Sequence, residues 1–236
     1  MEFDGRNVLL TGVGRAGQVG EAVAEAFARR GAHLLLVAHR IEQARERADA
    51  LVASGHRATP FAADLTDVSA VASLADDVRT RTGGRLHALV HIAGGFSMSG
   101  PVAESDPAEW TRLFAMNGTT AYLVARAFVP LLRTTHGSLT CVASEAVLPG
   151  AAAKNRAAYV AAKGAVVAVV HAVAEEERAN GVRANALAPS TIRTADNVAA
   201  MGEHASMVSR EAVADVACWL ASDAARAVSG QVIAVR

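Results

Sequence analysis

Tyr159 and Lys163 stand four residues apart in Tyr159-Val160-Ala161-Ala162-Lys163, so a helix through this segment sets a phenol and an ammonium on one face, about one turn apart. That pair has a chemical use. A free phenol titrates near pH ~10 and moves protons poorly at neutrality, whereas a neighbouring ammonium stabilises the phenolate and brings it toward the working range. The spacing alone is a common accident, and its weight comes from its company. Gly137-Ser138-Leu139-Thr140-Cys141-Val142-Ala143-Ser144 reads as a buried strand ending in a hydroxyl, at the sheet edge where open α/β proteins hold their ligands. Asn117 falls in a long helical stretch, at Ala115-Met116-Asn117-Gly118-Thr119, next to the expected crevice.

A second constellation lies near the N-terminus. The strand-like Asn7-Val8-Leu9-Leu10-Thr11 runs into Gly12-Val13-Gly14-Arg15-Ala16-Gly17-Gln18-Val19-Gly20 and then a helical pattern from Glu21. Strand, glycine turn and helix in this order suit a pyrophosphate: the chain reverses tightly, its backbone approaches the ligand, and the helix offers free N–H groups at its positive end. A dinucleotide is the expected ligand, and Lys163 could then hydrogen-bond its ribose. The second strand ends Val37-Ala38-His39-Arg40, with no carboxylate for the ribose hydroxyls. Arg40, with His39 and with Arg15 from the glycine loop, offers positive charge to a 2′-phosphate instead, so NADP(H) is favoured over NAD(H).

The elements that must position these groups are legible from periodicity. Short Leu- or Val-rich runs at 7–11, 33–38, 58–62, 86–91, 138–143, 182–187 and 231–235 read as strands. Amphipathic stretches near 19–30, 41–54, 67–81, 107–132, 156–179 and 210–221 read as helices between them. Such alternation predicts an α/β fold: one doubly wound, Rossmann-type domain over residues 1–236, its seven-stranded, mostly parallel sheet covered by helices on both faces. Between Tyr159 and Glu175 the valines spread over more than one helical face. The expectation is a homo-oligomer, dimer or tetramer, that covers the outer side.

Composition excludes other classes. Of 236 residues 52% are hydrophobic and 19% charged, and 23 basic side chains balance 23 acidic ones, which argues against disorder, a nucleic-acid coat or a polybasic membrane anchor. The most apolar region, 157–174, is interrupted by Lys163 and His171, so no membrane span is expected. Cys141 and Cys218 are isolated, which points to neither a disulfide framework nor a metal site and suits a reducing, cytoplasmic setting.

Taken in order, these motifs resemble the short-chain dehydrogenase/reductase family along nearly the whole chain. The family's TGxxxGxG loop is echoed from Thr11 to Gly20, with Gln18 and Val19 at its helix entry. Asp64-Leu65 is similar to its acidic position after strand three, and His91-Ile92-Ala93-Gly94 to its NNAG motif. Its Asn-Ser-Tyr-Lys tetrad falls on Asn117, Ser144, Tyr159 and Lys163, and its NxxxPG segment on Asn185 to Pro189.

The resemblance implies that Tyr159 exchanges the proton, Lys163 tunes it and holds the ribose, Ser144 orients the carbonyl, and Asn117 holds a water linking Lys163 to solvent. It also implies that Asp64 and Leu65 flank the adenine, and that Ile192 and Thr194 reach the carboxamide. The chain departs from the family in a glycine loop two residues longer, in His91 and Ile92 where the family has asparagines, and in Ser190 after Pro189. The expected function is an NADP(H)-dependent oxidoreductase interconverting a carbonyl and a secondary alcohol of a small molecule, with a 3-oxoacyl thioester as default substrate. The alternative is a nucleotide-binding sensor or scaffold without turnover. Enoyl reduction would go with a wider Tyr–Lys spacing and no serine. Gly95, Phe96, Ser97, Met98, Glu145, Val147, Leu148, Val198 and Met201 are the expected substrate-side residues.

Overall fold

A computed structural model describes residues 1–236. Seven strands form one sheet in the order β3-β2-β1-β4-β5-β6-β7, with every neighbouring pair parallel. They are β1 (Asn7–Thr11), β2 (His33–Ala38), β3 (Arg57–Ala62), β4 (Ala88–His91), β5 (Ser138–Val142), β6 (Arg183–Pro189) and β7 (Val232–Val235). The helices are α1 (Val19–Arg29), α2 (Ile41–Ala53), α3 (Val68–Thr82), α4 (Pro107–Phe114), α5 (Thr120–Arg133), α6 (Ala157–Glu176), α7 (Ala195–Met201) and α8 (Arg210–Ala221). This is the expected doubly wound α/β fold.

Side-chain alternation sorts the core into two layers. Leu9, Leu35, Leu89 and Leu139 point to the face covered by α3, α5 and α6, while Val8, Leu10, Leu34, Leu36 and Val90 point to the face covered by α1 and α8. Both faces of the central strands are buried, which is why those strands read as unbroken apolar runs. By length and composition α6 could cross a membrane, but Ala162, Val166, Val170 and Val173 bury one of its sides in the core.

Two elements differ from the expectation. The helix expected over 107–132 is α4 and α5 joined by a π-helical stretch, Ala115–Thr119, which contains Asn117. The segment after β6 carries α7, whose first turn is capped by the Thr194 hydroxyl accepting from Asn197 N–H at 3.2 Å. Neither has a periodic apolar signature in the sequence.

Beside β1, β4 is the strand where the order of connections reverses, and the crevice of such sheets opens at that point. Its last residue, His91, is fully buried opposite Thr11. His91 Nδ1 lies 2.9 Å from Thr11 Oγ1 and Nε2 lies 3.2 Å from Thr120 Oγ1. The Thr120 hydroxyl already donates to the Met116 and Asn117 carbonyls, so it accepts from His91, and Thr11 donates to the unprotonated Nδ1. A neutral histidine with its proton on Nε2 therefore ties β1 and β4 to the start of α5, just past the π-helical stretch, in the place where the related motif has asparagine.

Burial, and secondly the charge of Lys163, push the His91 pKa down from 6.5 to about 3. An unfolded chain takes up a proton near pH ~6.5 that the folded chain refuses until far lower pH, so this group costs stability as pH falls below ~6.5, by about 1.4 kcal/mol per pH unit. Denaturant unfolding of wild type and His91→Asn between pH 7.5 and 5 should show the wild type losing stability more steeply by about that slope. Equal slopes would mean that His91 titrates normally.

Candidate functional site

At the C-terminal ends of β1, β2, β4, β5 and β6 the chain leaves a cavity of about 940 Å³. Two close approaches shape its floor. A Cβ on Gly12 would lie 2.6 Å from Ala93 N, and one on Gly20 would lie 2.4 Å from Gly12 O, so the glycine turn lies directly on the start of α1 and on the loop after β4. Gly12 also sits at φ +80°, where a side chain is strained.

Most of the expected residues converge on this cavity. Gly12, Gly14, Arg15, Gln18, Val19, His39, Asp64, Leu65, Ala93, Gly94, Ser144, Tyr159, Lys163, Pro189, Ile192 and Thr194 all line it. On the substrate side Gly95, Phe96, Met98, Glu145 and Met201 do so, whereas Ser97, Val147, Leu148 and Val198 do not. Arg40 also lies off the wall: it is an exposed residue at the start of α2, one position beyond the cavity-lining His39.

The cavity has features that a dinucleotide meets. The N-termini of α3, α4, α7 and α8 are capped by Asp67, Asp106, Thr194 and Ser209, those of α1, α2 and α6 carry no side-chain cap, and Val19 and Gly20 at the start of α1 line the cavity. Uncapped N–H groups at the positive end of a helix, on the cavity wall, suit a pyrophosphate. The Ser190 hydroxyl, on the same wall, is buried and has no hydrogen-bond partner. Such a group is costly unless a ligand or water completes it.

The lengthened glycine loop is held from both sides. Gly17 N–H donates to Glu21 Oε2 at 2.8 Å, and Glu21 in turn meets Arg47 at 2.5 Å and Arg210 at 3.2 Å. Ala195 N–H donates to Gly17 O at 3.0 Å, and Arg15 pairs with Asp196 at 2.6 Å. This corrects one expectation. Arg15 leans onto α7, where its guanidinium meets the Asp196 carboxylate, instead of joining Arg40 at the end of β2.

Around Tyr159 the electrostatics differ from the simple pairing. Burial raises the Tyr159 pKa, and the Ser144 hydroxyl and the charge of Arg156 offset this only in part. Lys163 is not among the groups that lower it. Its ammonium is 5% exposed, donates to Val142 O at 2.8 Å, and is pushed down by burial to about 8. Phe96 meets the Tyr159 ring edge to face, with centroids 5.0 Å apart.

Asn117 does not line the cavity. Its Oδ1 accepts from Gly95 N–H at 3.2 Å, while Nδ2 donates to Gly95 O at 3.0 Å and Leu113 O at 2.9 Å. Both ends of the amide are thus committed to backbone, and the side chain clamps the loop after β4. Sequence reading also missed Gln43, Met116, Thr120, Arg156, Thr191 and Asn197 on the wall. Of these, Arg156 had a signal: it is a basic residue three positions before Tyr159.

Known proteins share this fold. A family model described as Enoyl-(Acyl carrier protein) reductase matches residues 12–236. The chain is 31% identical to a meso-2,3-butanediol dehydrogenase of Serratia marcescens over 250 residues, covering 100% of this chain and 94% of the relative. A short-chain type dehydrogenase/reductase from Mycobacterium ulcerans superposes with TM-score 0.90 at 28% identity, covering 100% of this chain and 90% of that one. A candidate NAD(P) dependent gluconate 5-dehydrogenase from Beutenbergia cavernae, solved with NADP bound at low occupancy, gives TM-score 0.87 at 31% identity, with coverage of 98% and 95%.

The Asn117 clamp is testable on its own. Asn117→Ala should lower unfolding free energy by about 1–3 kcal/mol, since it orphans backbone groups of Gly95 and Leu113. Amide exchange at Gly95 should accelerate in parallel; unchanged stability and exchange would contradict the clamp.

Proposed function

The chain belongs to the short-chain dehydrogenase/reductase family, and on that premise we propose that it is an NADP(H)-dependent reductase of ketones to secondary alcohols, acting reversibly. The observation that carries this reading is the convergence of Ser144, Tyr159 and Lys163 on the cavity wall that also holds the uncapped start of α1. A family model named for enoyl reduction stands beside it. Ser144 beside Tyr159, with Lys163 only four residues further on, favours the carbonyl, because enoyl reduction goes with a wider Tyr–Lys spacing and no serine.

A bound dihydronicotinamide supplies the hydride, with its two electrons, that the carbonyl carbon takes up. In this reading Tyr159 gives its phenolic proton to the carbonyl oxygen, which becomes the alcohol, and regains a proton from solvent; oxidation runs the same transfers backwards. Ser144 holds the oxygen in place. Lys163, whose ammonium burial weakens, supplies positive charge at the ribose. Asn117 acts as a positioning residue through Gly95.

The same proposal includes 3-oxoacyl thioesters among its substrates, a cytoplasmic setting suited to the free, buried Cys141 and Cys218, and self-association through α6, where Val167 and Val169 are only partly buried. Cofactor choice rests on β2. It ends without a carboxylate, and His39 and Arg40 follow it.

Tyr159→Phe should lower turnover on the order of 10²–10⁴-fold while leaving NADPH affinity nearly intact. Near-normal turnover of a ketone panel by that variant would overturn the proton assignment. With Arg15 committed to Asp196, Arg40 carries the 2′-phosphate preference together with His39. Titration by fluorescence should therefore show NADPH binding more tightly than NADH, roughly tenfold, and Arg40→Asp should reverse the order. Equal affinities in the wild type would make Arg40 a surface charge.

A further inference from the structure

The charged groups of the cavity can be accounted for one at a time. Arg15 is paired with Asp196 at 2.6 Å. Asp64 accepts from the Thr66 backbone and hydroxyl, at 2.9 and 2.6 Å. Glu145 faces Arg236 at 4.0 Å, and Lys163 is spent on the Val142 carbonyl and the space beside it. Arg156 is left over. It lines the cavity, has no carboxylate within ion-pair distance, and bonds only the Ala152 carbonyl of its own loop.

Its position gives that charge a direction. Arg156 immediately precedes α6, on which Tyr159 follows by three residues, and its charge is felt at the Tyr159 phenol. The same space also has apolar lining: Phe96, Met98 and Met201 line it while remaining 54%, 54% and 52% exposed. A ligand with its carbonyl at Tyr159 thus meets thioether and phenyl surface along its body and a free guanidinium at one end. A planar fork of N–H donors matches a carboxylate with two parallel bonds, which a neutral ketone cannot offer.

We propose that Arg156 is a specificity-determining residue that receives an anionic group, a carboxylate, on a ketone or alcohol substrate with an otherwise apolar body. The inference rests on the carbonyl-reductase reading and narrows its substrate class to oxo acids and hydroxy acids. The carboxylate is bound and released unchanged, and the redox step is the one already described.

The test uses paired probes: levulinate, 5-oxohexanoate and 4-oxocyclohexanecarboxylate, each beside its methyl ester, with purified protein and NADPH. Wild type should prefer the acid of a pair in kcat/KM by roughly 10–100-fold, carried mainly by KM. Arg156→Met should collapse that acid-to-ester ratio toward one, and Arg156→Lys should restore part of it, because a point charge lacks the fork. Acids and esters reduced equally well by the wild type would overturn the anion subsite and leave the reductase reading standing. If no ketone is reduced, calorimetry of the acids with the NADP⁺-loaded protein separates the two claims. Binding lost in Arg156→Met upholds the subsite and overturns the reductase reading, while binding that ignores Arg156 overturns both.

Discussion

Parallel pairing of β1 with β4 brings two chain segments about eighty residues apart to the same edge of the sheet, and almost everything in the site depends on how closely they meet there. The register sets Thr11 against His91, and the next residues, Gly12 and Ala93, come too close for any side chain on the glycine. Thr11 Oγ1 also accepts from Ile92 N–H at 3.2 Å, so one hydroxyl fixes the exit of both strands. From that contact the glycine turn runs one way into α1, and the Gly94-Gly95 loop runs the other way toward Asn117 and Lys163. Were this junction wider, the pyrophosphate cradle and the proton-transfer groups would no longer share a cavity.

The cost of the arrangement is a group of ionisable side chains buried within a few residues of one another. His91, Cys141 and Lys163 all lie where burial disfavours charge, so histidine stays neutral, the Cys141 thiol is pushed up to about 12, and the lysine is left as the single cation. Lys163 can keep its proton there because a carbonyl at the end of β5 receives it. Tyr159, nearer the opening, is the group on which burial and the neighbouring hydroxyl and guanidinium act in opposite directions.

The strands and long helices could be read from the chain because burial on both faces leaves apolar runs and because amphipathic helices repeat with their own period. β1, β2 and α8 begin and end where their residues indicate. What escaped depends on contacts distant in sequence. The π-helical turn at Asn117 exists to bring an amide against Gly95, and a run of Ala, Met, Asn, Gly and Thr carries no mark of that. The Arg15–Asp196 pair joins residues that no spacing rule connects, so Arg15 read as a phosphate ligand by local charge alone. Arg40 and His39, by contrast, sit where the ending of β2 placed them, although only His39 reaches the cavity wall.

The tie between the glycine loop and α7 carries a further consequence. Ala195 N–H on Gly17 O and Asp196 on Arg15 tie the glycine loop to the segment after β6. Loop length and the start of α7 therefore form one modular unit, although they lie at opposite ends of the chain. In a chimera that borrowed either piece from a relative with a shorter turn, Asp196 and Gly17 O would face nothing. Homologue grafting in this protein must move both segments together.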